Sequence, residues 1–252
     1  MTGSNAISLS GGKDSTAMLL LMLERGEPVC DVVFFDTGWE FPQMLEHIDR
    51  LERYTGIPVV RLKPRLPFNY LFAEHRPVSR KGVERDRGYD WPCTYRRWCN
   101  TQKVDALNAY SNALSWRGYP LPIVQCIGYA ADETKRAEKH RARPRQAEYI
   151  THRYPLVEWT VTEAEALALC KRHGFDWSGL YDHFTRVSCF CCPLSNLTEL
   201  RIMRKYYPTQ WTRMLKMDTW LNPNHHRRAF YHGATINDLD RRFAREDAEG
   251  AA

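Results

Sequence analysis

Between the apolar segments 6–9 and 17–23 the chain reads Ser10-Gly11-Gly12-Lys13-Asp14-Ser15-Thr16. An apolar run, a glycine pair and a second apolar run spell strand, tight turn and helix. Two glycines let the turn close and let backbone N–H groups approach an anion. The helix start adds its dipole and its unpaired donors. Ser10, Ser15 and Thr16 supply hydroxyls, and Lys13 supplies a mobile positive charge. The segment is therefore a phosphate cradle. It is not the Walker A pattern, because the four-residue spacer between the glycines is missing. The other use of the same residues is a capped helix after a glycine turn, with Asp14 and Ser15 filling the first turn.

The neighbouring segments extend this reading. Gly26 and Pro28 end the first helix. Residues 29–35 are nearly all apolar, as in a parallel strand buried on both faces, and Asp36-Thr37-Gly38 stops it. Helical spacing over 41–54 puts Met44, Leu45, Ile48 and Leu51 on one face. A third strand covers 57–62. The order β-α-β-α-β calls for a parallel sheet with right-handed crossovers, an α/β fold. Residues 63–92 scatter Arg65, Arg76, Arg80, Lys81, Arg85 and Arg87 among Pro and Gly and read as a long active-site loop or a partly mobile insertion. Further on come a helix at 99–110, a buried strand at 122–128 and a charged run at 132–145. A helix at 162–173 follows, capped by Thr162 and ended by Gly174, then helices at 197–205 and 208–220. The tail 241–252 reads as frayed.

Composition sets the outer bounds. The chain has 252 residues, 43% hydrophobic and 26% charged, with eight cysteines and a formal charge of +6. That is enough for a full core without disulfide staples, and it excludes disordered and collagen-like classes. No apolar run is long enough to span a bilayer, and no secretion signal is read at the start. The expected setting is the reducing cytoplasm, where eight cysteines mean core thiols, metal ligands or reactive sulfur. The charge permits an anionic ligand or nucleic acid without requiring either.

Ser10 to Ser15 resembles the SGGxDS signature of the PP-loop ATP pyrophosphatases. Asp36-Thr37-Gly38 narrows the resemblance to the phosphoadenosine phosphosulfate (PAPS) reductase branch. So do Arg97-Trp98-Cys99-Asn100-Thr101-Gln102-Lys103, similar to an RWCT..K segment, and Ile127-Gly128 with Asp132, Glu133 and Arg136, similar to IG...DE..R. Tyr154-Pro155-Leu156 and the segment 186–193 look like members from phages and mobile elements. The resemblance implies a doubly wound, mainly parallel sheet of the adenine nucleotide alpha hydrolase type, with a smaller C-terminal helical part. It implies a nucleotide-binding domain over 1–160 and a mainly helical region over 161–252 that carries the cysteine cluster.

On the same ground ATP, or PAPS or adenylylsulfate, binds with Mg²⁺ at Ser8, Ser10, Gly11, Gly12, Lys13, Asp14, Ser15, Asp36, Thr37, Gly38 and Gly128. Lys13, Asp14 and Arg136 carry the chemistry, and Arg97 is a further phosphate contact. The implied reaction cleaves ATP to AMP and pyrophosphate and adenylates an acceptor oxygen, with sulfur transfer to nucleic acid as the likeness to sulfurtransferases suggests. A sulfonucleotide reductase and an accessory nucleotide-binding protein of a phage, plasmid or CRISPR-type system are the alternatives. The reductase reading is weakened because no cysteine follows Cys192 in the sequence. Asp36 has a second possible use, as a cap for the helix after it.

Cys189-Phe190-Cys191-Cys192-Pro193 is the second signal. Cys189 and Cys192 have the C-x-x-C spacing that lets two thiolates share one metal centre. Related enzymes hold a four-iron cluster on a split set of cysteines. The matching set is Cys99, Cys189 and Cys192, with Cys191 or Cys93 as the fourth ligand. Zn²⁺ is the other occupant of such a set, and a redox C-x-x-C is the metal-free use. Cys30, Cys126 and Cys170 fall in apolar runs and read as core. Most tryptophans read as core or loop anchors, and Tyr129 as an adenine-pocket residue. Arg141, Arg143, Arg145, His225, His226, Arg227 and Arg228 form either a solvated basic face or a nucleic-acid surface. The expected partners are an adenine nucleotide, a nucleic acid or protein complex, and a second copy of the chain in a homo-oligomer, with no membrane.

Overall fold

Five strands, β1 (Ser4–Leu9), β2 (Asp31–Phe35), β3 (Val59–Leu62), β4 (Ile123–Ile127) and β5 (Ile150–Arg153), pair in parallel in the order β3-β2-β1-β4-β5. Ile7 stands opposite Val32 on one side and Cys126 on the other, and all three are fully buried. This is the buried, β-branched pattern that a parallel sheet demands. The order reverses beside β1, so the crevice at the carboxyl ends of β1 and β4 is where such sheets take ligands. The glycine loop follows β1, and Gly128 follows β4.

The helices, in chain order, are α1 (Lys13–Glu24), α2 (Pro42–Thr55), α3 (Phe68–Ala73), α4 (Trp98–Trp116), α5 (Thr134–Arg141), α6 (Pro155–Glu158), α7 (Glu163–Arg172), α8 (Leu180–His183), α9 (Leu197–Tyr206), α10 (Pro208–Asp218) and α11 (Ile236–Gly250). The computed structural model describes residues 3–76, 78, 82, 86–94, 96–142, 147–223 and 229–250. Arg80, Lys81, Arg85, Arg143, Arg145, His225, His226, Arg227 and Arg228 lie outside the described residues. No helix among the described residues is long and apolar enough to cross a membrane.

The chain divides into two compact units. Unit 1 is Met1–Asp36, Pro42–Lys63 and Lys103–Val187; unit 2 is Thr37–Phe41, Pro64–Gln102 and Ser188–Ala252. The chain thus passes between units five times. Unit 1 holds the whole sheet. Its α1 is buried almost all round, with Ala17, Met18, Leu19 and Met22 inaccessible, and it packs against α7. Thr162 and Glu165 form a reciprocal capping box at the start of α7, which stabilises that end by about 1 kcal/mol. Unit 2 is built on aromatics. Trp39 packs against Phe68, Trp91 and Phe190, and Phe41 against Phe190 and Tyr207.

Three elements depart from expectation. The loop 63–92 contains α3, which buries Phe68, Leu71 and Phe72. At one and a half turns it is too short to show a period. β5 was not expected, because an edge strand reading Ile-Thr-His-Arg has no apolar run. Residues 241–250 are not frayed: α11 buries Ile236, Leu239 and Phe243 along one face. Its acids also meet α9, with Arg204 pairing with Asp240 and Asp247, and Arg201 with Glu246.

Phe243→Ala is therefore expected to cost about 3–5 kcal/mol in urea unfolding. A change below about 0.5 kcal/mol would mean the tail does not pack.

Candidate functional site

Gly11 makes the turn, at φ +80, a conformation that disfavours a side chain. A Cβ there would also lie 2.4 Å from the Met44 sulfur. The first helical bond of α1 runs from Thr16 N to Gly12 O. Before it, the Asp14 and Ser15 N–H groups have no acceptor among the described residues. These are the free donors that an anion needs. Ser10 and Ser15 close the loop upon itself, with Oγ to Oγ at 2.9 Å and the Ser10 N–H donating to Ser15 Oγ at 3.1 Å. Thr16 Oγ1 bonds His47 Nε2 at 2.9 Å. His47 is stacked on Trp177, and burial pulls its pKa down to about 3, so it is a neutral brace.

Lys13 is 4% exposed. Its ammonium bonds Glu163 Oε2 at 2.5 Å and lies 3.5 Å from Asp14 Oδ2. Its N–H donates to the Tyr181 hydroxyl at 2.8 Å, and its carbonyl accepts from the Cys170 thiol at 3.4 Å. Asp14 is the unsettled member. Its Oδ1 is buried and has no hydrogen-bond partner. Burial raises the Asp14 carboxyl to about 6, partly offset by Lys13 and reinforced by Glu163 and Glu133. Asp132 accepts from the Glu163 N–H, and Glu133 pairs with Arg136 at 2.6 Å. The loop thus faces four carboxylates and two cations. Such a balance repels a polyphosphate unless a divalent cation is added, and the orphaned Asp14 oxygen is the kind of hard ligand Mg²⁺ takes.

The strand ends sort the other expected residues. Ser8 lies in β1 opposite Val33 and Ile127. A Cβ on Gly128 would stand 2.8 Å from the Ser15 backbone. Gly128 therefore lets β4 end directly against the loop. The Arg136 guanidinium lies 4.7 Å over Tyr129, which stacks on Tyr154. The Asp36 N–H donates to Leu62 O, continuing the β2–β3 pairing. Since α2 begins at Pro42, Asp36 does not stand at its cap. Thr37 and Gly38 belong to a turn in unit 2, where Thr37 Oγ1 donates to Glu40 and accepts from the Trp39 N–H. Arg97 is an exposed residue of unit 2. Arg141 lies 5.1 Å over Tyr154.

The second constellation lies wholly within unit 2. The Cys189 thiol meets both Cys191 and Cys192, and these neighbours, with burial, push its ionisation well up. Burial raises the Cys99 thiol to about 11, and Cys191 and Cys192 add to the rise. Four thiols, Cys99, Cys189, Cys191 and Cys192, are thus neighbours. Cys93 sits in a small bridge with Arg96. As they stand, no three His, Cys, Asp or Glu side chains among the described residues converge as a metal cage. The donor set nevertheless suits a soft metal centre, because crowded thiols that resist ionisation are relieved by ligation.

Arg213 borders this set. Its guanidinium lies 3.8 Å over Trp39, burial lowers its pKa while Cys191 acts the other way, and it has no carboxylate partner among the described residues. Cys126 and Cys170 are buried as expected, while Cys30 is half-buried. Sequence reading missed Tyr181, Glu163 and Arg213, and gave Trp177 only as a core or loop anchor. No local pattern marks them, since each meets its site only through the tertiary fold.

Residues 4–195 match the family model described as the phosphoadenosine phosphosulfate reductase domain. An uncharacterized protein of Methanocaldococcus jannaschii is 27% identical over 209 residues, covering 81% of this chain and 39% of its own length. The chain therefore spans about two fifths of that relative. An uncharacterized 37.8 kDa protein from the gpa 5′ region of Escherichia phage 186 is 26% identical over 267 residues, covering 85% of this chain and 74% of its own. Among solved structures, the U34-tRNA thiolase NcsA from Methanococcus maripaludis with its 4Fe-4S cluster is 16% identical. That match covers 97% of this chain and 71% of the other, with a TM-score of 0.46.

Asp14 carries a stability signature. Its folded pKa lies above the unfolded value, so ionising it costs stability. The cost is absent below the ordinary carboxylate value of 3.8 and full above about 6. Asp14→Asn should stabilise the protein by about 1–3 kcal/mol at about pH 7.5 and by nearly nothing at about pH 3.5. Urea titrations at the two pH values check this, and an equal effect at both would contradict it.

Proposed function

Because the chain belongs to the phosphoadenosine phosphosulfate reductase family, we propose that it binds ATP on the Ser10–Ser15 loop and cleaves it between the α- and β-phosphates. The observation that carries this reading is the pair of free N–H donors at Asp14 and Ser15, at the start of α1 and beside Lys13. An acceptor oxygen attacks the α-phosphorus, the bond to the bridging oxygen breaks, and pyrophosphate leaves with the electron pair. The acceptor becomes an adenylate. The loop donors and Lys13 stabilise the charge that grows on the leaving pyrophosphate. Lys13 reaches the phosphates by exchanging Glu163 for them.

Asp14, with Glu163 nearby, is the set that would hold Mg²⁺, which supplies neutralisation of the phosphate charge when bound. Tyr129 and Arg136, at the end of β4, are the candidate walls of the adenine site. The net charge of +6 favours an anionic acceptor, and nucleic acid is the class proposed. A hydrosulfide then attacks the adenylated carbon, the bond from that carbon to the adenylated oxygen breaks, and AMP leaves with that oxygen, so that sulfur stands in its place.

In unit 2, Cys99, Cys189, Cys191 and Cys192 would hold an iron–sulfur cluster, with Cys191 favoured over Cys93 as the fourth ligand. Such a cluster supplies a redox-active, sulfur-binding iron when bound.

With Mg²⁺ and ATP the protein should release AMP and pyrophosphate, the release increasing when an acceptor nucleic acid is supplied. ADP and phosphate would reject the α–β cleavage. Anaerobically purified protein should contain iron and sulfide. Cys99→Ser and Cys189→Ser should lose most of both, and Cys93→Ser should keep them. A wild-type protein free of iron and sulfide, or iron loss in Cys93→Ser alone, would reject the proposed ligand set.

A further inference from the structure

Tyr181 stands at the mouth of the loop without belonging to any expected motif. Its hydroxyl accepts from the Lys13 N–H at 2.8 Å and would lie 3.2 Å from a Cβ on Gly12. That bond uses one lone pair of the phenol oxygen. The phenol proton has no acceptor among the described residues. A phenol is protonated at neutral pH. It is therefore an O–H donor, adjacent to the two free N–H groups of Asp14 and Ser15.

The segment that delivers this hydroxyl is built at a cost. Trp177 and Ser178, neither of them glycine, have φ of 51 and 50, followed by Gly179 at 82. Left-handed residues of this kind cost about 1 kcal/mol or more each and persist only where surrounding contacts fix them. Here the fixing contacts reach the loop itself. The Trp177 indole N–H donates to Gly11 O at 2.7 Å, and the Trp177 and Tyr181 rings meet edge to face at 4.8 Å. The strained turn thus grips the loop at a carbonyl through Trp177 and at an amide through Tyr181.

We propose that Tyr181 is a phosphate-contacting residue: held by the Lys13 N–H, its hydroxyl donates to a phosphate oxygen seated on the Asp14 and Ser15 N–H groups. The phenol extends the Lys13 donor outward by one group and adds a neutral donor where a second lysine would unbalance the Lys13–Glu163 pair. The inference rests on the nucleotide reading above and adds a residue to it.

The test is calorimetric titration of wild type and Tyr181→Phe with ATP, inorganic pyrophosphate and adenosine, each with Mg²⁺, and with thermal melts as a control on folding. Losing one hydrogen bond to a charged oxygen should weaken ATP and pyrophosphate about tenfold or more and leave adenosine unchanged. Unchanged ATP and pyrophosphate affinities would overturn the contact and leave Tyr181 a brace. Tighter binding would overturn it too, because the hydroxyl would then compete with phosphate. Equal weakening of all three ligands would mark a folding defect in the site and would likewise count against it. A wild type that binds neither ATP nor pyrophosphate would overturn the nucleotide reading itself, and this inference with it.

Discussion

A lysine ammonium buried at the first position of α1 organises this molecule. Its burial is tolerable only because Glu163 and Asp14 compensate the charge. Glu163 can do so because it opens α7, whose start is fixed by the Thr162–Glu165 box and whose body packs on α1. From the same helix, Cys170 reaches the Lys13 carbonyl, and beyond it Tyr181 reaches the Lys13 amide. Every polar group of Lys13 is thereby held by residues about 150 positions or more away in sequence. The loop owes its shape to glycine and its position to these distant partners.

This arrangement has a chemical consequence. A lysine paired with a carboxylate is neutral as seen by an approaching polyphosphate. Arg136 offsets Glu133 in the same way, and the carboxylates left over, Asp14 and Asp132, then disfavour a bare anion. On the proposed reading, magnesium complexation of the nucleotide would reverse that balance, and the ammonium would become available as Glu163 found a new counter-ion. The burial that makes Asp14 reluctant to ionise is thus the burial that would make it a strong ligand once a cation arrives. Stability is given up at this position, and a bound cation would restore it.

Much of this was legible in the sequence, and the reasons are local. The glycine loop, the continuous apolar run of β2 and the capped α7 are each specified within about a dozen residues, so periodicity and turn chemistry find them. Cys189, Cys191 and Cys192 announce themselves by spacing. What escaped reading depends on distance or on edges. β5 is short and polar because one of its sides has no strand to pair with. α11 looks like charged debris until Arg201 and Arg204 are seen to meet its acids and Phe243 is seen to be buried. Tyr181 and Arg213 carry no motif at all, and only the folded chain brings them to the loop and to the thiols.

The account stands on the claim that the space over Gly12 receives phosphate. Gly12 has φ of −76, so its backbone accepts a side chain, and a branched one would project toward the Tyr181 hydroxyl. Equilibrium dialysis of Mg²⁺–ATP against wild type and Gly12→Val tests the claim most directly. Wild type should bind, and Gly12→Val should remain folded with binding lost. Binding of equal affinity to both proteins would place the nucleotide elsewhere and contradict the account.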